Sequence, residues 1–409
     1  MTAEPLIQTA TSNRLKTTSL NNKMVTAYWD DLFSAKADGK EVCWFEGVSI
    51  NPLLQAMDIS WCHGEAWSAL LAAKKEEQPA LEASEERGYQ RELCSYARTH
   101  IGSGILTQNN QIPGTPDHEM MAGRAPAPDM IISAYPYCST GQQWDEMLFR
   151  LFGKKVPVFN ITLPYIWGNG KTQEYMHGEE FEDAVKFLTR QLRECVTFLE
   201  EVTGRKMDWH RLSEIMSYTK KASELRLEAM DLCKARPAPA TFFEWSLSIA
   251  PVNFLPSGPP IVDYFQKLRD EIAGRVDAGI GSVPNEKYRL FWDGIMNWGK
   301  LGWMAEKFAN YDACMVAGRY THMGFWQEPQ VIDCDDPLEG MARNYLVCPI
   351  NHSAPYMIDK ITGLCEKYEI DALVMHVART CRAFSNPQYL IAQQVSRRIG
   401  TKLCLIKWD

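Results

Sequence analysis

The strongest constraint on this chain is an alternation. Short apolar runs rich in β-branched and aromatic residues are separated by long amphipathic stretches. A parallel strand buried on both faces reads as one continuous apolar run, and returning to start the next one takes a crossover helix. The candidate strands are Val42–Val48, Met130–Tyr137 and Val156–Leu163 in the first half, then Tyr288–Trp292, Cys314–Gly318, Ala372–Val377 and Lys402–Lys407 in the second. The fold class is therefore α/β, with parallel sheets flanked by helices.

The two groups of strands are far apart, and 409 residues exceed what one core holds, so two or three domains are expected. Between them lies a helical block. Glu179–Val202 carries Phe181, Ala184, Val185, Phe187, Leu188, Leu192, Val196, Leu199 and Val202 near a 3.6 period, and Gly204 stands where a cap belongs. Trp209–Lys234 is a second helix, stopped by Arg236-Pro237-Ala238-Pro239. The two are expected to pair antiparallel. The resulting division is a loosely held tail at 1–23, a first lobe at 24–178, a helical connector with an aromatic-rich loop at 179–284, and a second lobe at 285–409. Ile101–Pro128 and Pro237–Pro260 read as long irregular loops, either functional or surface excursions.

The net charge of −8 argues against a nucleic-acid partner, which needs clustered Lys and Arg. No apolar run reaches the ~18 residues of a membrane span, and the N-terminus lacks a secretory apolar region. Twelve cysteines without an export signal point to reduced thiols in a cytoplasm. Cys195, Cys233 and Cys365 fall in helical patterns, and Cys43 and Cys404 in strand-like runs, as small buried hydrophobes. No Cys-x-x-Cys pair occurs, so any metal site is assembled from distant parts of the chain.

Cys138 and Cys381 each follow a candidate strand, on the edge where open α/β sheets bind ligands. Cys94 follows a charged helix, Leu81–Gly88, and precedes a Gly-rich turn. Three thiols from two lobes would suit an iron–sulfur cluster, but their spacing fits three unrelated cysteines as well. Gly168-Asn169-Gly170-Lys171-Thr172 lacks the first glycine of a phosphate loop, because Tyr165 holds that position, and reads as a turn. No Gly-x-Gly-x-x-Gly follows a strand, so a nicotinamide cofactor has no support. Trp61-Cys62-His63-Gly64-Glu65-Ala66-Trp67 offers His63 and Glu65 as proton donors, or simply starts a helix. Cys348-Pro349-Ile350-Asn351-His352-Ser353 offers a fourth thiol and His352 as a proton donor, or a structural turn.

Several segments together resemble a known family. They are Glu92-Leu-Cys-Ser-Tyr-Ala-Arg98, Ala125-Pro-Ala-Pro-Asp-Met130, Tyr137-Cys-Ser139 with Trp144 beyond, Glu286-Lys-Tyr-Arg-Leu290, Asp335-Asp-Pro-Leu338 and Arg379-Thr-Cys-Arg-Ala-Phe-Ser385. The family is that of the iron–sulfur subunits of benzoyl-CoA reductases and 2-hydroxyacyl-CoA dehydratases, and the likeness runs from about Met24 to the last residue. It implies two flavodoxin-like lobes with a 4Fe–4S cluster in the cleft between them, held by Cys94, Cys138 and Cys381, with Cys348 as an extra ligand. It implies no nucleotide on this chain, because ATP is used by a separate activator fed by ferredoxin. It also implies a related iron–sulfur subunit as heterodimer partner and an acyl-CoA substrate.

Glu65 falls where family members carry a Glu in a Pro-Glu-Asn-like stretch, here Gly64-Glu65-Ala66. Arg319-Tyr-Thr-His322, Asp335-Asp-Pro-Leu338 and the 237–260 segment resemble the reductase branch, specifically its B-type subunit. The expected activity is thus ATP-dependent dearomatisation of benzoyl-CoA to cyclohexa-1,5-diene-1-carbonyl-CoA. The alternatives are radical dehydration of a 2-hydroxyacyl-CoA, or an electron-relay subunit whose cluster has four protein ligands. The resemblance also implies a further segment with a terminal helix, where this sequence stops at Ile406-Lys-Trp-Asp409, as a shorter variant or an incomplete chain.

Overall fold

The computed structural model describes residues 13–47, 50–110, 120–135, 138–168, 177–323 and 328–406. The first lobe runs α1 (Thr18–Ser34), β1 (Val42–Gly47), α2 (Asn51–Ala56), β2 (Ser60–His63), α3 (Gly64–Lys74), α4 (Gln78–Glu86), α5 (Ser95–Asn110), β3 (Met130–Tyr135), α6 (Ser139–Leu151) and β4 (Val158–Thr162). A helical middle follows, with α7 (Glu179–Thr203), α8 (Trp209–Leu232), α9 (Phe242–Leu247), α10 (Ala250–Asn253) and α11 (Pro259–Asp277). The second lobe runs β5 (Tyr288–Asp293), α12 (Leu301–Ala309), β6 (Ala313–Gly318), α13 (Arg319–His322), α14 (Pro337–Leu346), α15 (Ala354–Lys367), β7 (Ala372–His376), α16 (Arg382–Ser385), α17 (Gln388–Ile399) and β8 (Lys402–Ile406).

Each lobe has a four-stranded sheet, ordered β2-β1-β3-β4 in the first and β6-β5-β7-β8 in the second. All neighbouring strands are parallel. The two lobes therefore share one topology. In both, the first strand of the lobe lies between the second and third, so successive crossovers leave on opposite sides. A crevice opens at the carboxyl ends of the central strands, the usual ligand position of such sheets.

The expected α/β architecture is present, and the seven expected strands form within two residues of their predicted ends. The last residues of three of those expected runs (Val48, Pro136–Tyr137, Lys407), like Asn169–Thr172 of the glycine turn, lie outside the described residues. The strand β2 escapes sequence reading because it is a four-residue edge strand inside the Trp61–Trp67 motif. That motif also starts a helix, the plainer of its two readings, with Glu65 in the first turn of α3.

Other expectations need correction. The helices α7 and α8 end close to where predicted but do not chiefly pack on each other. The apolar stripe of α7 covers β4 and α14, and α8 lies along α11. The supposed loop from Ile101 is helical to Asn110, because α5 lies flush on α4; residues 111–119 of that stretch lie outside the described ones. The 237–260 segment is buried rather than looped: Thr241 and Glu244 form a capping box that starts α9, and Phe242, Phe243 and Trp245 enter the core.

Within the tail, residues 13–23 are held. Asn13 donates to the Gly281 carbonyl at 2.9 Å, the Thr17 N–H donates to Glu271 at 2.9 Å, Leu15 is buried, and α1 starts at Thr18. Finally, Cys404 is exposed, because β8 is an edge strand with open faces, whereas Cys43, Cys195, Cys233 and Cys365 are buried as expected. The main core is continuous through both lobes and the helical middle. A smaller cluster lies between α9, β5, β6 and α12.

Candidate functional site

The carboxyl edges of the two sheets border one cavity of about 1180 Å³, counting its open mouth. Its walls include Cys94, Cys138, Cys348 and Cys381, so the fold gathers all four thiols singled out in the sequence. Three of them share a local design. Cys94 immediately precedes α5, Cys138 is the N-cap of α6, and Cys381 is the N-cap of α16. The Cys138 and Cys381 sulfurs stand at their helix starts without a side-chain capping hydrogen bond. A helix start presents unpaired donors and a positive dipole end, which suits a thiolate or a sulfur-bound anion.

Burial works the other way. It pushes the Cys94 thiol up to about 12 and that of Cys381 up to about 11, and raises Cys138 as well. Without a cation the three remain protonated thiols at neutral pH. They also feel one another: Cys381 and Cys138 raise Cys94, and Cys138 raises Cys381. Burial raises Cys348 to about 12, against relief from the Ile350 backbone and Arg319. Among the described residues, no three His, Cys, Asp or Glu side chains are grouped tightly enough for a single metal ion. Soft donors from two lobes on one cavity wall suit a polynuclear group better than a single ion.

Facing the cysteines is a tier of acids and imidazoles. Glu65 accepts the Gly47 N–H at 3.1 and 3.2 Å, one oxygen each, and its Oε2 lies 3.2 Å from His63 Nδ1. His63 Nδ1 already accepts the Ala66 N–H at 3.4 Å, so Glu65 meets a lone pair and is best matched when it carries a proton. Burial sets the same state, raising Glu65 to about 7 and lowering His63 to about 3. The pair is therefore a neutral acid beside a neutral imidazole just below pH 7.

One layer deeper, Glu46 and His100 are fully buried, with Glu46 Oε1 2.9 Å from His100 Nδ1. Trp144 donates its Nε1–H to the same Nδ1 at 3.2 Å, so the contact with Glu46 again needs the proton on the acid. Asp145 also acts on Glu46 electrostatically. Burial raises Glu46 to about 8, raises Asp145 well above the carboxylate range, and lowers His100 to about 3. Gly64 allows this arrangement: a Cβ there would lie 2.5 Å from His100 Nδ1 and 2.8 Å from Glu46 Cγ.

The second lobe contributes a buried ion pair. Arg319 Nε lies 2.7 Å from Asp293 Oδ1, and its Nη2 donates to the Phe384 carbonyl at 2.8 Å. Its guanidinium also covers the Phe384 ring at 4.4 Å. Arg319 thereby ties the end of β5 to α16, the helix that Cys381 caps. The remaining cavity wall is largely apolar, with Ile249, Val252, Ile295, Trp144 and Phe384.

His352 is not part of this wall. Its Nε2 bonds the Leu346 carbonyl at 2.6 Å, and its ring stacks on Tyr356 at 4.0 Å. Neighbouring Asn351 accepts the Ile166 N–H at 2.7 Å, and Ser353 donates to the Trp167 carbonyl at 3.1 Å, so this segment fastens one lobe to the other.

A family model described as 2-hydroxyglutaryl-CoA dehydratase, D-component, matches residues 51–409. The chain belongs to this family. The B-type subunit of benzoyl-CoA reductase from Thauera aromatica is 27% identical over 399 residues, spanning 95% of this chain and 88% of its own. The alpha subunit of lactoyl-CoA dehydratase from Anaerotignum propionicum is 25% identical over 406 residues, spanning 96% and 92%. The (R)-2-hydroxyisocaproyl-CoA dehydratase alpha subunit of Clostridioides difficile is 25% identical over 389 residues, spanning 93% and 87%. These relatives are, by name, subunits of a reductase and of dehydratases. The likeness carried by the segments around Cys94, Cys138 and Cys381 is thus borne out at the level of the family. Among the described residues, no helix is long and apolar enough to cross a membrane.

Sequence reading did not single out Glu46, His100, Asp145, Tyr96 or Asp293. One signal was available for Glu46, an acid ending the otherwise apolar run Val42-Cys-Trp-Phe-Glu46. His100 and Asp145 lie on helices, where a polar residue on the inner face looks like any other.

Proposed function

We propose that this chain is the cluster-bearing subunit of a cytoplasmic acyl-CoA reductase, dearomatising benzoyl-CoA to cyclohexa-1,5-diene-1-carbonyl-CoA. The observation that carries the reading is the meeting of three thiols at helix starts and a protonated Glu65 in one largely apolar cavity. Cys94, Cys138 and Cys381 would hold a 4Fe–4S cluster, which supplies single electrons of low potential when bound. The reading takes these three as the ligands, with the cluster open toward the cavity, over a relay in which Cys348, on the same cavity wall, adds a fourth.

The residues of the chain account for the rest. Trp144, Phe384, Ile249 and Val252 give a flat apolar acyl group a dry seat. Reduction of a ring consumes protons as well as electrons, and Glu65 is an acid still protonated near neutrality, with a carboxyl partly open to the cavity. His63 and the Gly47 N–H fix the direction of that carboxyl. The chain would work beside a related iron–sulfur subunit and receive electrons from ferredoxin through an ATP-hydrolysing activator that carries the nucleotide site.

A second reading, dehydration of a 2-hydroxyacyl-CoA, draws on the dehydratase relatives, which match as much of the chain at similar identity. One assay separates the two. Paired subunit, activator, ATP and a strong reductant are supplied, and benzoyl-CoA is expected to lose its aromatic absorbance as reductant is consumed. Consumption of a 2-hydroxyacyl-CoA alone, with water lost and no net oxidation of reductant, would refute the reductase reading.

A further inference from the structure

We propose that Arg226 is the specificity-determining residue of the cavity, and that the acyl group it selects carries a carboxylate. The inference rests on the acyl-CoA reading above and narrows the substrate class. The acyl group is a benzoyl with a carboxylate on its ring or, in the second reading, a 2-hydroxyacyl chain with one at its far end.

Arg226 lies within α8, on the buried face it shares with Ala222, Leu225 and Ala229, and is only 1% exposed. Its side chain forms part of the cavity wall. The Nη2 group donates to the Thr321 carbonyl at 2.9 Å, while Nε and Nη1 have no hydrogen-bond partner. Five arginines are buried among the described residues, and Arg226 is the one with no carboxylate in reach. Arg98 meets Glu85 at 2.6 Å, Arg275 meets Glu271 at 3.4 Å, Arg289 meets Glu286 at 3.4 Å, and Arg319 meets Asp293 at 2.7 Å. A guanidinium keeps its proton inside a protein, so the charge is permanent. Burying a charge without a partner is costly, and the fold bears that cost only here, at the wall of its ligand cavity.

The surroundings define the missing partner. Arg319, the other arginine of the wall, is neutralised by Asp293. Glu65 is engaged with the Gly47 N–H and His63. Beside Arg226 the wall is apolar: α10 packs on α8, and Ile249 and Val252 of that region line the cavity. The cysteines stand at the starts of other helices, α5, α6 and α16, so Arg226 belongs to the seat of the acyl group. An acyl group made of hydrocarbon alone leaves the guanidinium unpaired and drier than before. One with a carboxylate at that point pairs it. A site with a buried polar group rejects the analogue that leaves the group unpaired, far more strongly than an apolar pocket rejects a change of size. One positive charge calls for one negative charge, which a carboxylate supplies and a doubly charged phosphate exceeds. Arg226 keeps its proton throughout, and its role is selection rather than proton transfer.

The test is equilibrium binding to the complete complex, wild type and Arg226→Met. The probes are benzoyl-CoA, 3-carboxybenzoyl-CoA, 4-carboxybenzoyl-CoA, 2-hydroxypentanoyl-CoA and 2-hydroxyglutaryl-CoA. On the wild-type complex a carboxylated thioester should bind ~10²–10³-fold more tightly than its uncharged counterpart. In Arg226→Met the order should reverse, and Arg226→Lys should keep the wild-type order with a smaller ratio. The Tm of Arg226→Met should equal or exceed that of wild type, because the charge removed had no partner. A wild-type preference for the uncharged thioesters, or the same preference in Arg226→Met as in wild type, would overturn the inference and leave the acyl-CoA reading standing. A fall in Tm as large as that of Arg319→Met would assign the charge to the fold and overturn it as well. If none of the five thioesters binds the wild-type complex, both readings fall.

Discussion

Arg319 shows how much a single side chain can fix. Its pairing with Asp293 is almost completely buried, and its remaining donors go to the Phe384 carbonyl and the sulfur of Met357. Replacing one partner of such a pair leaves the other charge stranded. Arg319→Met is expected to destabilise the chain by ~3–5 kcal/mol, and Arg319→Met with Asp293→Leu by much less; urea unfolding of the two variants checks this. Equal losses would mean that the pair is not the source.

The acid tier behind Glu65 makes a prediction with a definite sign. Glu46 has a folded-state value near 8, far above its unfolded value. The native state therefore binds more protons between about pH 4.5 and 8, and stability is greatest below that window and falls as pH rises through it. Gln mimics the protonated acid, so Glu46→Gln should be near neutral at pH 5 and should recover on the order of 1–3 kcal/mol of the loss seen at pH 8. Parallel stability curves for wild type and variant would show that Glu46 is not the group titrating. At this scale the sequence yields the thiols only through the family resemblance, because cysteines past strand ends, such as Cys138 and Cys381, fit unrelated thiols as well. It does not yield the Glu46–His100–Asp145 group, whose members come from β1, α5 and α6 and meet only through the fold.

At the scale of elements, most strands were legible because buried parallel strands are continuous apolar runs. The misreading of 101–110 and of 237–260 as loops has one cause, a helix whose composition is set by packing rather than by propensity. The helix α5 contains Ile101-Gly102-Ser103-Gly104 and looks like a loop. A Cβ on Gly102 would lie 1.8 Å from the Ala80 carbonyl oxygen, so the glycine is what lets α5 and α4 touch backbone to backbone. Gly102→Ala should cost ~1–3 kcal/mol or more by forcing the helices apart. It should also disturb Cys94, which sits at the start of α5. The check is hydrogen exchange, with faster exchange expected in α4 and in the first turn of α5 but not in α17. Packing also accounts for the 237–260 segment, where aromatic side chains that would be strange in a loop fill the core around Trp292.

At the scale of the molecule, the two lobes repeat one topology, and their sheet edges face each other across the cavity. Cys94 and Cys138 belong to the first lobe and Cys381 to the second, so any group bound by all three is also a cross-link between lobes. Stabilisation by a ligand follows from its binding only the folded, closed arrangement. Three of the four cavity thiols should therefore behave alike. Ser at Cys94, Cys138 or Cys381 should abolish the ~4 iron per chain expected of anaerobically prepared protein and its brown absorbance, whereas Ser at buried Cys195 should not. Cys348 is the informative case. It shares the cavity with the proposed triad, and if those three are the ligands Cys348→Ser should keep its iron. Loss of iron in that variant equal to loss in Cys381→Ser would give the cluster a fourth protein ligand and turn the functional reading from catalysis toward electron relay. Removing iron from the wild-type chain with a chelator should in turn lower Tm and speed hydrogen exchange at the lobe contacts, where Ile166 meets Asn351 and Trp298 meets Tyr96. An unchanged Tm on iron removal would mean that the lobes are held by their protein contacts alone.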